Sequence, residues 1–264
     1  MSTVLITGAA GGVGRALTRV FHERGDRLFL VDRDPDALNA LIDQLQDPAS
    51  VVGQIADLST RDGVAATVDG FRRHFDELDV LVNNAGITHR SLAADTDADV
   101  FQRVMAVDWQ APVELSLALL PALRRRHGSI INLGSMAGWM PVLGRAGYCS
   151  AKAALSQFFE VLRAEERDCG LHILMVYPSF LDTAIETHAL GADGGRARHA
   201  RSTVGRVGSA DTLALDIVRA LEQRRATLFP DKFTWAASLL WRIAPGFFHR
   251  LMRRRFRVEL EQRS

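Results

Sequence analysis

Tyr148 and Lys152 stand four residues apart in the stretch "YCSAK", a spacing that puts both side chains on one helix face, one turn apart. A phenol ionises near pH 10, too high for a base at neutrality. An ammonium group a few ångströms away favours the phenolate, and a second cation nearby adds to the effect. Bringing a phenol to about pH 7 takes about 4 kcal/mol, at about 1.4 kcal/mol per unit. Two cations in a half-dry cleft supply energy of that order. Y-x-x-x-K also occurs on ordinary solvated helix faces. Ser135, upstream in "INLGSMAGW", adds a hydroxyl just beyond an apolar strand-like run. In α/β proteins that is the end of the sheet where sites lie. A phenol, an ammonium and a hydroxyl together can move a proton to or from a substrate oxygen.

A second group of residues has the composition of a phosphate cradle. "TGAAGGVG", Thr7 to Gly14, follows the apolar run Val4-Leu5-Ile6 and leads into a helix-period segment. Gly8, Gly12 and Gly14 allow a tight turn and let a pyrophosphate approach the main chain. The helix start behind them offers unpaired N–H groups and the positive end of a dipole. Asp32 closes the next strand, "LFLVDRD". A carboxylate there accepts hydrogen bonds from an adenosine ribose and repels a 2′-phosphate, which favours NAD over NADP. Arg33 beside it suits a 2′-phosphate instead, and Asp32 is also placed to cap the helix opening at Pro35. Asp57-Leu58 ends the third strand, where the acid meets an adenine edge or caps a helix.

These residues need a sheet to hold them, and the pattern supplies one. Strands are expected at Thr3–Thr7, Arg27–Val31, Val51–Ala56, Asp79–Val82, Ser129–Leu133, His172–Val176 and Ala226–Phe229. Helices are expected at Val13–Arg24, Pro35–Leu45, Arg61–Phe75, Ala98–Arg125 (bent near Pro112 or ended by Pro121), Tyr148–Cys169 and Asp211–Gln223. The strands are continuous apolar runs without a polar face, the mark of a parallel sheet covered on both sides. The fold class is α/β: a doubly wound, Rossmann-type parallel sheet in three layers, α/β/α.

The 264 residues, 47% hydrophobic, suffice for one large domain. A net charge of +1 speaks against a nucleic-acid binder. Cys149 and Cys169 lack the spacing of a zinc site or a disulfide framework, which fits a reducing cytosol and no metal. The chain enters a strand within three residues, leaving no room for a signal peptide, and no apolar run is long enough to span a bilayer.

With these residues in hand, the sequence resembles the short-chain dehydrogenase/reductase family from about Thr3 to Phe229. Thr7-Gly8, Gly12 and Gly14 match its turn T-G-x-x-x-G-x-G, and "NNAG", Asn83 to Gly86, matches its motif after the fourth strand. Ser135, Tyr148 and Lys152 match its catalytic residues at the usual separation. The resemblance implies an oxidoreductase: Tyr148 exchanges a proton with an alcohol or carbonyl oxygen, Ser135 hydrogen-bonds that oxygen, and Lys152 lowers the phenol's pKa and binds the nicotinamide ribose. It implies a coenzyme site of Thr7, Gly8, Gly12, Val13, Gly14, Asp32, Arg33, Asp57, Leu58, Asn83, Ala85, Gly86, Tyr148, Lys152, Pro178, Leu181 and Thr183. Asp108 stands where the family usually has an asparagine that holds a water in a proton relay. A main-chain carbonyl would keep that task, whereas a carboxylate side chain cannot donate as an amide does. Pro178-Ser179 replaces the family's Pro-Gly. The family usually forms dimers or tetramers through its long helices.

Trp139 and Met140 follow Ser135 and form either a pocket wall or ordinary packing; with Met136, Val142 and Leu143 they favour an apolar substrate. His89 reads as a loop histidine without a catalytic role. Residues 184–210 are expected to form a substrate lid, with "GADGGRARHARSTVGRVGS" a mobile loop. Its Arg196, Arg198 and Arg201 either face solvent or greet an acidic carrier. The catalytic domain is taken as 1–229 and the remainder, 230–264, as an aromatic, basic extension. This extension packs over the cleft or a neighbouring subunit, or lies on an anionic membrane surface. The expected function is NAD-dependent hydride transfer to or from an apolar secondary alcohol or ketone, in a cytoplasmic homodimer or homotetramer. The alternatives are an NADPH-dependent 3-oxoacyl reductase and a coenzyme-binding sensor with little turnover.

Overall fold

The apolar runs pair side by side into a seven-stranded, all-parallel sheet in the order β3-β2-β1-β4-β5-β6-β7. In this computed structural model, residues 1–181, 187–197 and 207–256 are described. The strands are β1 (Thr3–Thr7), β2 (Arg27–Asp32), β3 (Val51–Ile55), β4 (Val80–Asn83), β5 (Ser129–Leu133), β6 (His172–Val176) and β7 (Thr227–Leu228). β1, β4, β5 and β6 are buried along their whole length, because helices cover both faces. Strand order reverses between β1 and β4, so a crevice opens beyond their carboxyl ends.

One face packs on α1 (Gly12–Glu23), α2 (Pro35–Leu45) and α7 (Ala210–Glu222), through Leu17, Phe21, Leu38, Leu41, Leu213 and Ile217. The other packs on α3 (Arg61–His74), α5 (Ala111–Arg125) and α6 (Ala146–Glu165), through Phe71, Leu115, Leu119, Leu155 and Phe159. Asp34 caps α2 by accepting the Ala37 N–H, with Pro35 in the first turn, and Thr60 caps α3 through Gly63. Asp32 and Asp57 are therefore not helix caps.

The long helix expected over Ala98–Arg125 is broken in a third way. α4 (Ala98–Met105) passes through a π-helical turn at Ala106–Gln110 into α5. Pro112 has no N–H to give the Asp108 carbonyl four residues earlier, which favours the wider turn. Pro121 lies inside α5 without ending it.

The segment expected to be a mobile loop is ordered where described. Leu190 exchanges backbone hydrogen bonds with Thr88 and Arg90, and a tight turn returns the chain so that Ala197 donates to Ala189. Gly194 makes this turn at a φ of 78°. Of the expected lid, 182–186 and 198–206, including Arg198 and Arg201, lie outside the described residues. Arg196 is exposed.

The last described elements are α8 (Lys232–Ile243) and α9 (Pro245–Arg255). Phe248, Met252 and Phe256 bury themselves against Met140, Val142, Leu143, Leu240 and Trp241. The extension thus rests on the loop that follows Ser135. Among the described residues, no helix is long and apolar enough to cross a membrane.

Candidate active site

The crevice is a cavity of about 490 Å³ running from the glycine turn to the start of α6. At one end the turn forms its floor. Gly8 sits at a φ of 62°, and a Cβ on it would lie 2.8 Å from the Ala85 Cα. A Cβ on Gly14 would lie 2.0 Å from the Gly8 carbonyl oxygen, so only glycine lets α1 seat on the turn. No side chain caps the start of α1 at Gly11, leaving its N–H groups for an anion. Gly8, Ala10, Gly11, Gly12 and Val13 line the cavity. The turn, the open helix start and the absence of Cβ atoms fit a dinucleotide pyrophosphate.

Asp32, Arg33, Asp57 and Leu58 line the same end. The Asp32 carboxylate accepts hydrogen bonds from Ala10 N–H at 2.9 Å and Asp34 N–H at 3.2 Å. Burial resists the ionisation of Asp57. The Ser59 N–H and hydroxyl, with Arg33 and Arg103 nearby, nevertheless hold its pKa below the usual value.

At the other end Ser135, Tyr148 and Lys152 come together in the wall. Ser135 follows β5 and accepts the Ala137 N–H at 3.1 Å. Lys152 Nζ lies 5.7 Å from the centre of the Tyr148 ring and donates to the Leu133 carbonyl at 2.9 Å. Asp108 joins them from the π turn. Its carboxylate accepts the Ile87 N–H at 2.7 Å and lies 3.3 Å from Lys152 Nζ. Asp108 is wholly buried and Lys152 nearly so.

Lys152 favours the phenolate, as the sequence leads one to expect, but burial outweighs it. The phenol's pKa is raised. Burial is the main cause and Asp108 adds to it, outweighing Lys152, Ser135 and Arg145. Lys152 by itself therefore does not bring the phenol toward neutrality.

Several expected contact residues lie behind the cavity wall. Thr7 is buried; its hydroxyl donates to the Val82 carbonyl and accepts from the Asn84 and Ala85 N–H groups, tying β1 to β4. Asn83 points sideways and donates to Ser116 and Asn132. Its neighbour Asn84 lines the cavity instead, with Ala85 and Gly86. Trp139 turns away to pack edge-on against Tyr177 and Phe229, with the Arg242 guanidinium 4.4 Å from its ring centre. Pro178, Leu181 and Met140 line the cavity, and Thr183 lies outside the described residues.

Sequence reading missed Asn84, Thr88, Arg103, Arg145 and His188 in the wall. Arg145, three residues before Tyr148, is a buried arginine whose Nη1 donates to the Thr88 hydroxyl at 2.9 Å. Its position one helical turn from Tyr148 is the one signal that was available. His89 is fully buried. Its Nε2 accepts the Gly147 N–H at 2.9 Å, and its Nδ1 meets the Ser91 hydroxyl at 3.1 Å. It is a structural brace for the start of α6.

A doubly wound sheet with a pyrophosphate turn at one end of the crevice and a Ser–Tyr–Lys group at the other defines a nicotinamide-dependent oxidoreductase. The comparisons narrow this class. Residues 2–192 match the family described as short chain dehydrogenase, and the chain belongs to the short-chain dehydrogenase/reductase family. Dehydrogenase/reductase SDR family member 7B of Bos taurus is 35% identical over 270 residues, covering 98% of this chain and 82% of that protein. The 3-oxoacyl-[acyl-carrier-protein] reductase FabG of Escherichia coli (strain K12) is 31% identical over 211 residues, covering 80% of this chain and 85% of the other. A short-chain dehydrogenase from Sphingobium yanoikuyae in complex with NADPH has a TM-score of 0.79 at 28% identity, covering 96% and 95% of the two chains. A Burkholderia phymatum short chain dehydrogenase/reductase in complex with NAD has a TM-score of 0.82 at 23% identity, over 93% and 94%, and shares the fold.

Proposed function

We propose that the protein transfers a hydride between NAD and an apolar secondary alcohol or ketone of steroid, lipid or acyl type. The convergence of Tyr148, Lys152 and Ser135 at one end of the cavity carries this reading. The coenzyme would be held by Gly8, Gly12 and Val13 at the pyrophosphate, by Asp32, Arg33, Asp57 and Leu58 at the adenosine, and by Asn84, Gly86, Lys152, Pro178 and Leu181 toward the nicotinamide. When bound, it supplies or accepts the hydride. Tyr148 exchanges the proton with the substrate oxygen, and Ser135 hydrogen-bonds that oxygen. Asp32 at the end of β2 supports NAD over NADP. Ile87, Val107, Met136, Met140, Val142, Phe180 and Leu190 make the substrate end apolar.

A second reading, an NADPH-dependent 3-oxoacyl reductase, has specific support from the name and 31% identity of the Escherichia coli relative. The exposed Arg33 beside Asp32 is the residue that would meet a 2′-phosphate.

The free cysteines Cys149 and Cys169 support a reducing cytoplasm. Leu117 on α5 and Val161 on α6 are exposed apolar residues that support a homodimer or homotetramer built on those helices. Ile243, Phe247 and Leu251 are exposed at the end of α8 and along α9, beside exposed Arg250, Arg253, Arg254 and Arg255. This pairing of apolar and basic surface supports peripheral contact with an anionic membrane.

A panel of secondary alcohols and ketones, assayed with both nicotinamides against wild type and Tyr148→Phe, tests the reading. Turnover of an apolar member with NAD, reduced at least a hundredfold in the variant, is expected. A preference for acyl thioesters with NADPH would favour the second reading. Full activity in Tyr148→Phe would overturn both.

A further inference from the structure

The residue that departs most from the family pattern, Asp108, sits against the residue that most influences the phenol. Its carboxylate is 3.3 Å from Lys152 Nζ. A Cβ on Gly86 would lie 3.5 Å from both carboxylate oxygens and 3.6 Å from Nζ, so the backbone after β4 closes over the pair. The pair's net charge does not depend on where its proton resides. A carboxylate with an ammonium sums to zero, and so does a carboxylic acid with an amine. An amide at this position would leave a whole positive charge beside the phenol.

We propose that Asp108 cancels the charge of Lys152 and holds Tyr148 as a neutral phenol, making the site a proton donor tuned for carbonyl reduction. This deepens the proposed function and rests on Tyr148 being the group that exchanges the proton. Four groups act on the phenol: Lys152 from α6, Asp108 from the π turn, Ser135 after β5, and Arg145 just before α6. Burial favours the neutral form most strongly; Lys152, Ser135 and Arg145 oppose it, and Asp108 reinforces it. In the reducing direction the carbonyl carbon takes a hydride, oxidising the reduced nicotinamide. The carbonyl oxygen takes the phenolic proton, giving the alcohol, and the phenolate regains a proton from solvent. The reverse reaction needs the phenolate first, which a neutral Asp108–Lys152 pair does little to stabilise.

The chain has two tyrosines, Tyr148 and Tyr177. In a Tyr177→Phe background, phenolate absorbance without coenzyme therefore reports Tyr148 directly. Asp108→Asn should lower its ionisation midpoint by about one unit or more, giving about tenfold more phenolate at a given pH below the midpoint. Lys152→Met should raise the midpoint. The double variant, again neutral, should titrate well below Lys152→Met and close to the parent. An unmoved or raised midpoint in Asp108→Asn, or a double variant that titrates with Lys152→Met, overturns the proposal. Asp108→Ser, which also removes the charge, replaces Asp108→Asn should the latter fail to fold. With 2-octanol and 2-octanone as probes, Asp108→Asn should raise alcohol oxidation at pH 7 by about tenfold without raising ketone reduction. A shifted titration with probe turnover that survives Tyr148→Phe would reject the proton-donor role of Tyr148 while leaving the charge relationship intact.

Discussion

Asp32 Oδ2 accepts a hydrogen bond from the Ala10 N–H at 2.9 Å, joining the end of β2 to the glycine turn. The same carboxylate lines the cavity at the end proposed to hold the adenosine. It thus shapes the glycine turn and, in the proposed coenzyme site, is placed to meet the adenosine ribose. Asp32→Ala should weaken NAD binding by about tenfold or more, the loss of one or two charge-assisted hydrogen bonds. NADP binding should weaken less, because the repulsion of a 2′-phosphate is relieved at the same time. Titration of both reduced coenzymes by fluorescence checks this, and equal losses would defeat the argument for NAD.

Gly14→Ala tests the turn from its other side. The added methyl would lie 2.0 Å from the Gly8 carbonyl oxygen and 2.9 Å from the Ala9 Cα, both backbone atoms that cannot swing aside. Moving α1 away to relieve the clash should cost about 1–3 kcal/mol of stability. It would also disturb the uncapped N–H groups at the start of α1, where the proposed coenzyme's pyrophosphate would sit. Urea unfolding and coenzyme titration should both register the change; a variant unaltered in each would show that α1 is less tightly seated than described.

His89 gives the fold a specific sensitivity to acid. Burial, with Arg145 nearby, lowers its pKa from the usual 6.5 to about 4. Between those values the unfolded chain holds the proton and the folded chain does not, so stability falls as pH drops through this window. Full protonation of the unfolded state by pH 4 would cost about 3 kcal/mol on this account. His89→Gln removes the titrating group and keeps an acceptor for the Gly147 N–H. Its stability should fall less steeply than that of wild type between pH 6.5 and pH 4, measured by urea midpoints. Parallel pH profiles for the two proteins would contradict this.

The terminal helices carry two separable contributions. Phe248 is buried against the loop that lines the substrate end, whereas Phe247 faces outward. Phe248→Ala should cost about 3 kcal/mol, the scale for truncating a buried aromatic, and should loosen Met140 and Val142 so that KM rises. Replacing Arg250, Arg253, Arg254 and Arg255 by glutamine should leave stability nearly unchanged. It should also reduce sedimentation with vesicles containing phosphatidylserine, at about 1 kcal/mol per arginine near the surface. No difference between anionic and neutral vesicles would remove membrane contact as a role for α9.

Much of this protein is determined locally and is legible from the chain alone. Apolar runs broken by turns place all seven strands to within a residue or two, most plainly β1, β4, β5 and β6, which are buried on both faces and so largely apolar. The glycine turn and the four-residue step from Tyr148 to Lys152 are equally local, set by backbone geometry over a few residues. Tertiary structure decides what those elements meet. Adjacent strand-end residues point in different directions, so Asn84 and not Asn83 reaches the cavity. Trp139 turns inward because Tyr177, Phe229 and Arg242, all distant in sequence, build a niche for it. Asp108 and Lys152 are far apart along the chain, and only the seating of the π turn against α6 brings them to 3.3 Å. Spacing along one helix predicts which side chains are neighbours, but the net charge around the phenol depends on groups from several elements and on how deeply packing buries them.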